Sequence, residues 1–158
     1  MAIAVVLALI IRGNVMAFYV VDGSSMIPTL NDGQMVAVNK IVYNLKEPGY
    51  GDIIVFYTDR SGQQRELIKR VVALPGDTVL ITDGKLYVND QLVEERYIDF
   101  ETGGDYGPRL IEPGELFVLG DNRRPAGSWD SRQFGPVQLT DIIGRADFII
   151  FPMPGRVR

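Results

Sequence analysis

Apolar and polar residues alternate along this chain in short bursts separated by glycine, proline and aspartate, the pattern of β-strands rather than of long helices. Residues 18–21 read as a strand running into a polar loop. Residues 34–39 alternate, with Met35 and Ala37 set against Val36 and Val38. Residues 52–57 are a continuous apolar run of the buried-strand kind. Residues 65–74 form another, closed by the Pro75-Gly76-Asp77 turn. Residues 85–88 and 91–94 flank Asn89-Asp90 and predict a two-residue hairpin. The Gly-rich stretch 102–108 reads as a loop, 115–119 as a strand, 121–135 as a long polar loop and 142–151 as the last strand. Short helical signals lie at 40–45 and 137–141. There is no repeat and no low-complexity linker. The expectation is an all-β, barrel-like or sandwich-like fold.

Residues 1–11 stand apart. They are almost wholly apolar and are interrupted by Arg12. As a helix they would span about 16 Å, roughly half of a hydrocarbon core of about 30 Å. No basic stretch precedes them and no clear small-residue cleavage site follows. Three readings are open: a membrane anchor lacking its first half, a short interfacial segment, and a buried core helix. In the first, Arg12 would snorkel to the interface. The charges that would set membrane orientation are missing.

Composition narrows the chemistry more than the fold. At 158 residues one domain is expected, with 17 Gly and 9 Pro marking many turns. A net charge of −4 argues against a nucleic-acid binder. The chain has no Cys and no His, so disulfides and thiolate metal sites are excluded, and no cofactor or metal is expected.

The absence of His and Cys also removes Ser-His-Asp and Cys-His catalysis. What is left is Ser25, in Gly23-Ser24-Ser25-Met26-Ile27-Pro28-Thr29-Leu30, and Lys69, in an apolar run from Leu67 to Leu74. A serine hydroxyl needs a base, and a neutral lysine amine can serve. At an ordinary pKa of about 10.4 only about 0.4 % of a lysine is neutral at pH 8, a deficit of roughly 3 kcal/mol. Burial shifts the pKa in the required direction. On a strand, Leu67, Lys69, Val71 and Ala73 share one face, which supplies apolar surroundings. The plainer alternative is a lysine snorkelling at a strand edge.

Three segments occur in order: the serine segment, Lys69-Arg70-Val71-Val72-Ala73-Leu74-Pro75-Gly76-Asp77, and Gly120-Asp121-Asn122-Arg123 followed by Ser128-Trp129-Asp130-Ser131-Arg132. Together with Gly51-Asp52-Ile53-Ile54-Val55-Phe56 they resemble the type I signal peptidases, in the short Gram-positive-like form, over nearly the whole chain. The resemblance implies a membrane-associated serine endopeptidase that removes signal peptides from exported preproteins. It implies a fold of short, coiled antiparallel sheets with a small β-hairpin subdomain. On that basis residues 1–17 are the apolar anchor segment and 18–158 the catalytic β domain, with a small inserted β-region at about 78–112.

The roles that follow are those the resemblance implies. Ser25 is the nucleophile and Lys69 the general base. Ser128 hydrogen-bonds Lys69 and orients its amine. The Ser25 N–H donates to the oxyanion. Asp130 and Arg132 form an ion pair fixing the loop of Ser128, Asp121 and Arg70 pair similarly, and Asn122 shapes the same loop. The plainer reading of the four charged residues is surface charge, and of Ser128 a turn hydroxyl. Some members carry a second hydroxyl two positions before the nucleophile; here that position is Gly23, which leaves backbone donors. The implied substrate is an extended Ala-x-Ala-type segment. Candidates for its pockets are Val21, Ile27 and Val71, with Val20 and Leu30 also near; Tyr43 and Leu45 are candidates for an apolar membrane-facing surface. Partners would be signal peptides and membrane lipid, without nucleic acid, and the protein a monomer. The expected location is the cell membrane, by a single-pass anchor, with the catalytic domain extracytoplasmic.

Other readings remain open. A Ser-Lys autoprotease of the SOS-repressor type would carry a DNA-binding domain and a cleavable linker before the serine, where about twenty mostly apolar residues stand here. A processing peptidase for a single substrate, as in pilus maturation, fits the same residues. So does a membrane-tethered β-module with a vestigial dyad.

Overall fold

The apolar run around Lys69 becomes the buried half of β4 (Gln63–Ala73), the 11-residue strand on which the architecture turns. The protein is described by a computed structural model over residues 15–60 and 62–157. Of the expected anchor at 1–17, residues 1–14 lie outside the described residues; Met16 and Ala17 instead begin a strand of the large sheet. Among them, no helix is long and apolar enough to cross a membrane.

Preceding β4 are β1 (Met16–Val20), β2 (Met35–Asn39) and β3 (Ile53–Arg60); after it come β5 (Thr78–Thr82), β6 (Lys85–Val88), β7 (Gln91–Leu92) and β8 (Tyr106–Leu110). The chain ends with β9 (Glu115–Leu119), β10 (Val137–Gln138), β11 (Ile142–Phe151) and β12 (Gly155–Arg156). Two one-turn helices, α1 (Val42–Leu45) and α2 (Ser131–Phe134), and a 3-10 turn (Leu139–Asp141) complete the described elements. The larger sheet runs β1-β2-β11-β3-β4-β9-β10, with β12 on β11; the smaller runs β7-β6-β5-β8. Every pairing is antiparallel. This is the all-β fold of short antiparallel sheets.

Sequence chemistry accounts for the local joints. Asn89 and Asp90 both adopt positive φ, 52° and 61°, as a two-residue hairpin between twisted strands requires. Two expectations are corrected. The stretch 102–108 is not all loop, because β8 begins at Tyr106. Gly107 lets β8 approach β5 so closely that a Cβ there would clash with the Val79 carbonyl. Likewise 121–135 is not all loop: Asp130 caps α2 in a capping box with Gln133.

Three apolar clusters form the core. Val72, Ala73, Val79, Ile81, Leu86, Ile111 and Phe117 join the two sheets. Met26, Leu30, Val36, Val38, Ile53 and Val55 pack under the serine loop, and Ile54, Phe56, Val71, Leu116 and Val118 fill the other side of the large sheet. β4 is therefore covered on both faces from Lys69 onward, half-buried at Leu67 and Ile68, and exposed before them.

Candidate active site

Ser25 follows β1 in a loop held by its own apolar residues. Met26 and Leu30 are fully buried, Val21 nearly so, and the Leu30 N–H donates to the Met26 carbonyl at 2.9 Å. Gly23, with φ 89°, turns the chain into this loop, and its N–H donates to Asp32 at 2.7 Å. The loop delivers Ser25 Oγ to within 2.7 Å of Lys69 Nζ, 44 positions away in the chain.

Lys69 is 2 % exposed. Its amine also donates to the Ile68 carbonyl at 2.8 Å. Burial lowers its pKa from 10.5 to about 8, against the opposing fields of Asp130 and Asp121. The snorkelling alternative is thereby ruled out. At pH 8 about half of such amines are neutral, against about 0.4 % for an exposed lysine.

The charged residues are not surface charge either. Arg70 holds Asp121 through two bonds, Nε to Oδ1 at 2.9 Å and Nη2 to Oδ2 at 2.7 Å. Thr29 Oγ1 donates to the same Asp121 carboxylate, which ties the serine loop to the pair. Arg132 holds Asp130 in the same fork, at 2.8 and 2.9 Å. Asp130 also accepts from the Gly120 N–H at 3.1 Å. Burial alone would push its carboxyl pKa up, but the Arg132 bonds and charge and the Gly120 N–H hold it below the ordinary range. Asn122 grips the nucleophile loop directly: its N–H donates to the Ser25 carbonyl and its Nδ2 to the Ser24 carbonyl, both at 3.0 Å. The Ser25 N–H has no acceptor among the described residues and is available to an oxyanion.

Gly120 is where these elements meet. A Cβ on it would clash with Ser128 Oγ and lie 2.5 Å from the Ser25 carbonyl oxygen. Only glycine lets Ser128 and the serine loop close over this point. Ser128 is buried, and its hydroxyl lies beside the Asp130 carboxylate and helps to hold that group's pKa down. The bond from Ser128 to Lys69 expected from the sequence is not formed among the described residues, where the amine's partners are Ser25 Oγ and the Ile68 carbonyl.

A cleft of about 150 Å³ opens beside Ser25 and Lys69, lined by Tyr19, Val21, Val36, Val55 and Ile68 among others. Of the three pocket candidates, Val21 lines this cleft. Ile27 lines a separate hollow with Ser24 and Phe100. Val71 is buried in the core and borders a different hollow, with Tyr50, Gly51 and Tyr97, rather than the cleft beside Ser25. One wall of the cleft is the exposed half of β4. There β4 pairs with β3 alone, since β9 joins only from Arg70 onward.

Sequence reasoning missed Glu95, Tyr97, Thr102 and the part played by Arg123. Arg123 is fully buried and bound by Glu95 and Thr102, while its Nε donates to the Gly120 carbonyl at 2.7 Å. Arg123 stood inside a recognised motif; its partners lie in an irregular segment with no periodic signal.

A serine hydroxyl against a desolvated lysine amine, beside a backbone N–H with no acceptor among the described residues, is an arrangement that a serine hydrolase can use without histidine. Residues 1–151 match the family described as signal peptidase, peptidase S26. Signal peptidase I of Bacillus caldolyticus is 38 % identical, over 95 % of this chain and 87 % of that protein. Signal peptidase I S of Bacillus subtilis strain 168 is 40 % identical, over 95 % and 85 %. The crystal structure of a signal peptidase I from Enterococcus faecalis V583 superposes with a TM-score of 0.53 at 33 % identity, over 63 % of this chain and 97 % of that one. The chain belongs to the signal peptidase family, peptidase S26, and is a serine endopeptidase.

Proposed function

We propose that the protein removes N-terminal signal peptides from exported preproteins, with Ser25 as nucleophile and Lys69 as general base. The observation that carries this reading is the 2.7 Å contact between Ser25 Oγ and the buried Lys69 Nζ at the floor of a small apolar cleft. The neutral amine takes the Ser25 proton as Oγ attacks the scissile carbonyl, and the Ser25 N–H stabilises the oxyanion. The ammonium then protonates the departing amine, leaving an acyl-enzyme on Ser25. Lys69, neutral again, takes a proton from water, which releases the acyl group. Ser128, Asp130, Arg132, Asp121 and Arg70 hold this arrangement.

The substrate class follows from the cleft. The unpaired half of β4 offers main-chain groups to an extended peptide, which would lie against it as an added strand. A cleft of about 150 Å³ suits small side chains, in keeping with Ala-x-Ala sites.

Membrane association is the third element. Phe18, Ala37 and Phe148 lie in one row across β1, β2 and β11, and Val20, Met35 and Phe151 in the next. Phe18, Val20, Phe148 and Phe151 are exposed, as is Met153 beyond them. This apolar face adjoins the cleft, which Tyr19 and Val20 of β1 both line, so one strand serves both. We place the enzyme at the membrane as a monomer, with the apolar segment that precedes β1 as a single-pass anchor and the catalytic domain extracytoplasmic. Leu45 adds exposed apolar surface on α1; Tyr43 instead packs inward and donates to Asp52 at 3.0 Å.

The test is cleavage of a detergent-presented peptide bearing an Ala-x-Ala site. Wild type should cut after the second Ala, and Ser25→Ala and Lys69→Ala should not. A folded wild type that leaves the peptide intact would refute the reading.

A further inference from the structure

The segment between β7 and β8 leaves the small sheet and crosses to the site, where it touches four arginines around the nucleophile. Glu95 binds both ends of the Arg123 guanidinium, Nη1 at 2.7 Å, and Thr102 binds Nη1 as well. Tyr97 lies under Arg70, with the guanidinium carbon 3.9 Å from the ring centre, and its hydroxyl donates to Glu95 at 2.6 Å. Phe100 stacks with Arg124, also at 3.9 Å. The Gly103 carbonyl accepts from Arg132 at 2.7 Å.

Two of these contacts bracket Asn122. Asp121 before it is held by Arg70, which rests on Tyr97. Arg123 after it is held by Glu95. Asn122 itself holds the carbonyls of Ser24 and Ser25. Arg123 also donates to the Gly120 carbonyl, and Gly120 is the surface on which Ser128 and the Ser25 carbonyl rest. Arg123 is fully enclosed, and the carboxylate of Glu95, itself 4 % exposed, is its ion-pair partner. Without that carboxylate the guanidinium is a buried, unpaired charge and must move toward water. It would release Gly120 and shift Asn122 as it went.

We propose that Glu95 is a positioning residue for the nucleophile: through Arg123 it holds Gly120 and Asn122, and so sets the place of Ser25 and its N–H. The small sheet is then a brace for the catalytic loop. The inference rests on the reading of Ser25 as nucleophile given above. It assigns a task to a segment that makes no contact with Ser25.

The test compares Glu95→Gln, which keeps the shape and removes the charge, with wild type and Ser25→Ala on the Ala-x-Ala peptide. Assays run well below the melting temperature of each variant. The expected result is a kcat at least tenfold lower with KM within twofold of wild type, because the variant disturbs the oxyanion donor and not the cleft. Glu95→Asp, which keeps the charge, should recover part of the loss. A folded Glu95→Gln with unchanged kcat, whatever its melting temperature, overturns the inference and leaves the peptidase reading intact. If Glu95→Gln does not fold, Thr102→Val removes one bond to Arg123 at nearly constant shape. It should lower kcat two- to fivefold, and an unchanged kcat there overturns the inference equally. A wild type silent toward the peptide would remove both readings.

Discussion

Lys69 Nζ stands 2.7 Å from Ser25 Oγ in surroundings that leave the lysine 2 % exposed. The nearness makes proton transfer geometrically direct, and the burial lowers the pKa so that more of the amine is neutral. These two properties have separate consequences for rate and for stability.

For rate, the neutral amine is the active form. With a pKa of about 8, roughly one lysine in ten is neutral at pH 7 and one in a hundred at pH 6. kcat/KM should therefore rise about tenfold per pH unit below 8 and level off above it. A pH–rate profile checks this, and a rate flat from pH 5 to 10 would rule out lysine as the base.

For stability the same burial is a cost, and that cost too depends on pH. Below pH 8 the folded protein keeps a charged lysine in a desolvated site, whereas the unfolded chain does not. Folding thus carries a penalty that disappears as pH rises through 8 toward 10.5. Lys69→Met should be inactive yet more stable than wild type, by up to about 3 kcal/mol at pH 6. The gain should shrink between pH 8 and 10.5, as followed by denaturant melts across that range. Lys69→Arg should also be inactive, since a guanidinium does not release its proton.

Gly120→Ala places a methyl group against Ser128 Oγ and the Ser25 carbonyl. Both are held by other contacts, so the serine loop must be displaced. Activity should fall at least a hundredfold, with a stability loss of about 1–3 kcal/mol. Peptide cleavage and a thermal melt measure the two effects, and near-wild-type activity would show that the loop gives way cheaply.

Ser128→Ala separates a catalytic role from a structural one. Its buried hydroxyl lies beside the Asp130 carboxylate and makes no bond to Lys69 among the described residues, so its removal should change the melting temperature little. If Ser128 turns to receive Lys69 during the reaction, kcat should nevertheless fall while KM stays nearly constant. Unchanged kcat would restrict Ser128 to packing.

Asp130→Ala strips the partner from Arg132, the cap from α2 and the acceptor from the Gly120 N–H. The loss should be about 3–5 kcal/mol, the usual result of unpairing a buried charge. Because the folded-state pKa of Asp130 lies below the ordinary carboxylate range, its contribution is present at neutral pH. It fades as pH falls through that folded value. Acid titration of wild type and Asp130→Asn should accordingly converge at low pH, and parallel curves would count against the pair as the source.

The strands were legible because each carries its own periodicity. The run around Lys69 and the Asn89-Asp90 hairpin announce themselves within a few residues. β8 and α2 were not legible. The first depends on Gly107 meeting the Val79 carbonyl, a neighbour 28 positions earlier in the chain. The second depends on a cap at Asp130 within a polar stretch.

By itself the sequence determined the chemistry. A chain without histidine or cysteine, with a serine in one motif and a lysine in an apolar run, admits few nucleophile–base pairs. It also determined the family, since the motifs stand in order along the chain. Only the tertiary structure decided the environment. Burial of Lys69 and Val71, the unformed Ser128–Lys69 bond and the Glu95–Arg123 pair all depend on which surfaces two sheets bring together. Periodicity describes one strand and its faces. Desolvation and ion pairing belong to residues far apart in the chain, and no local pattern encodes their distance.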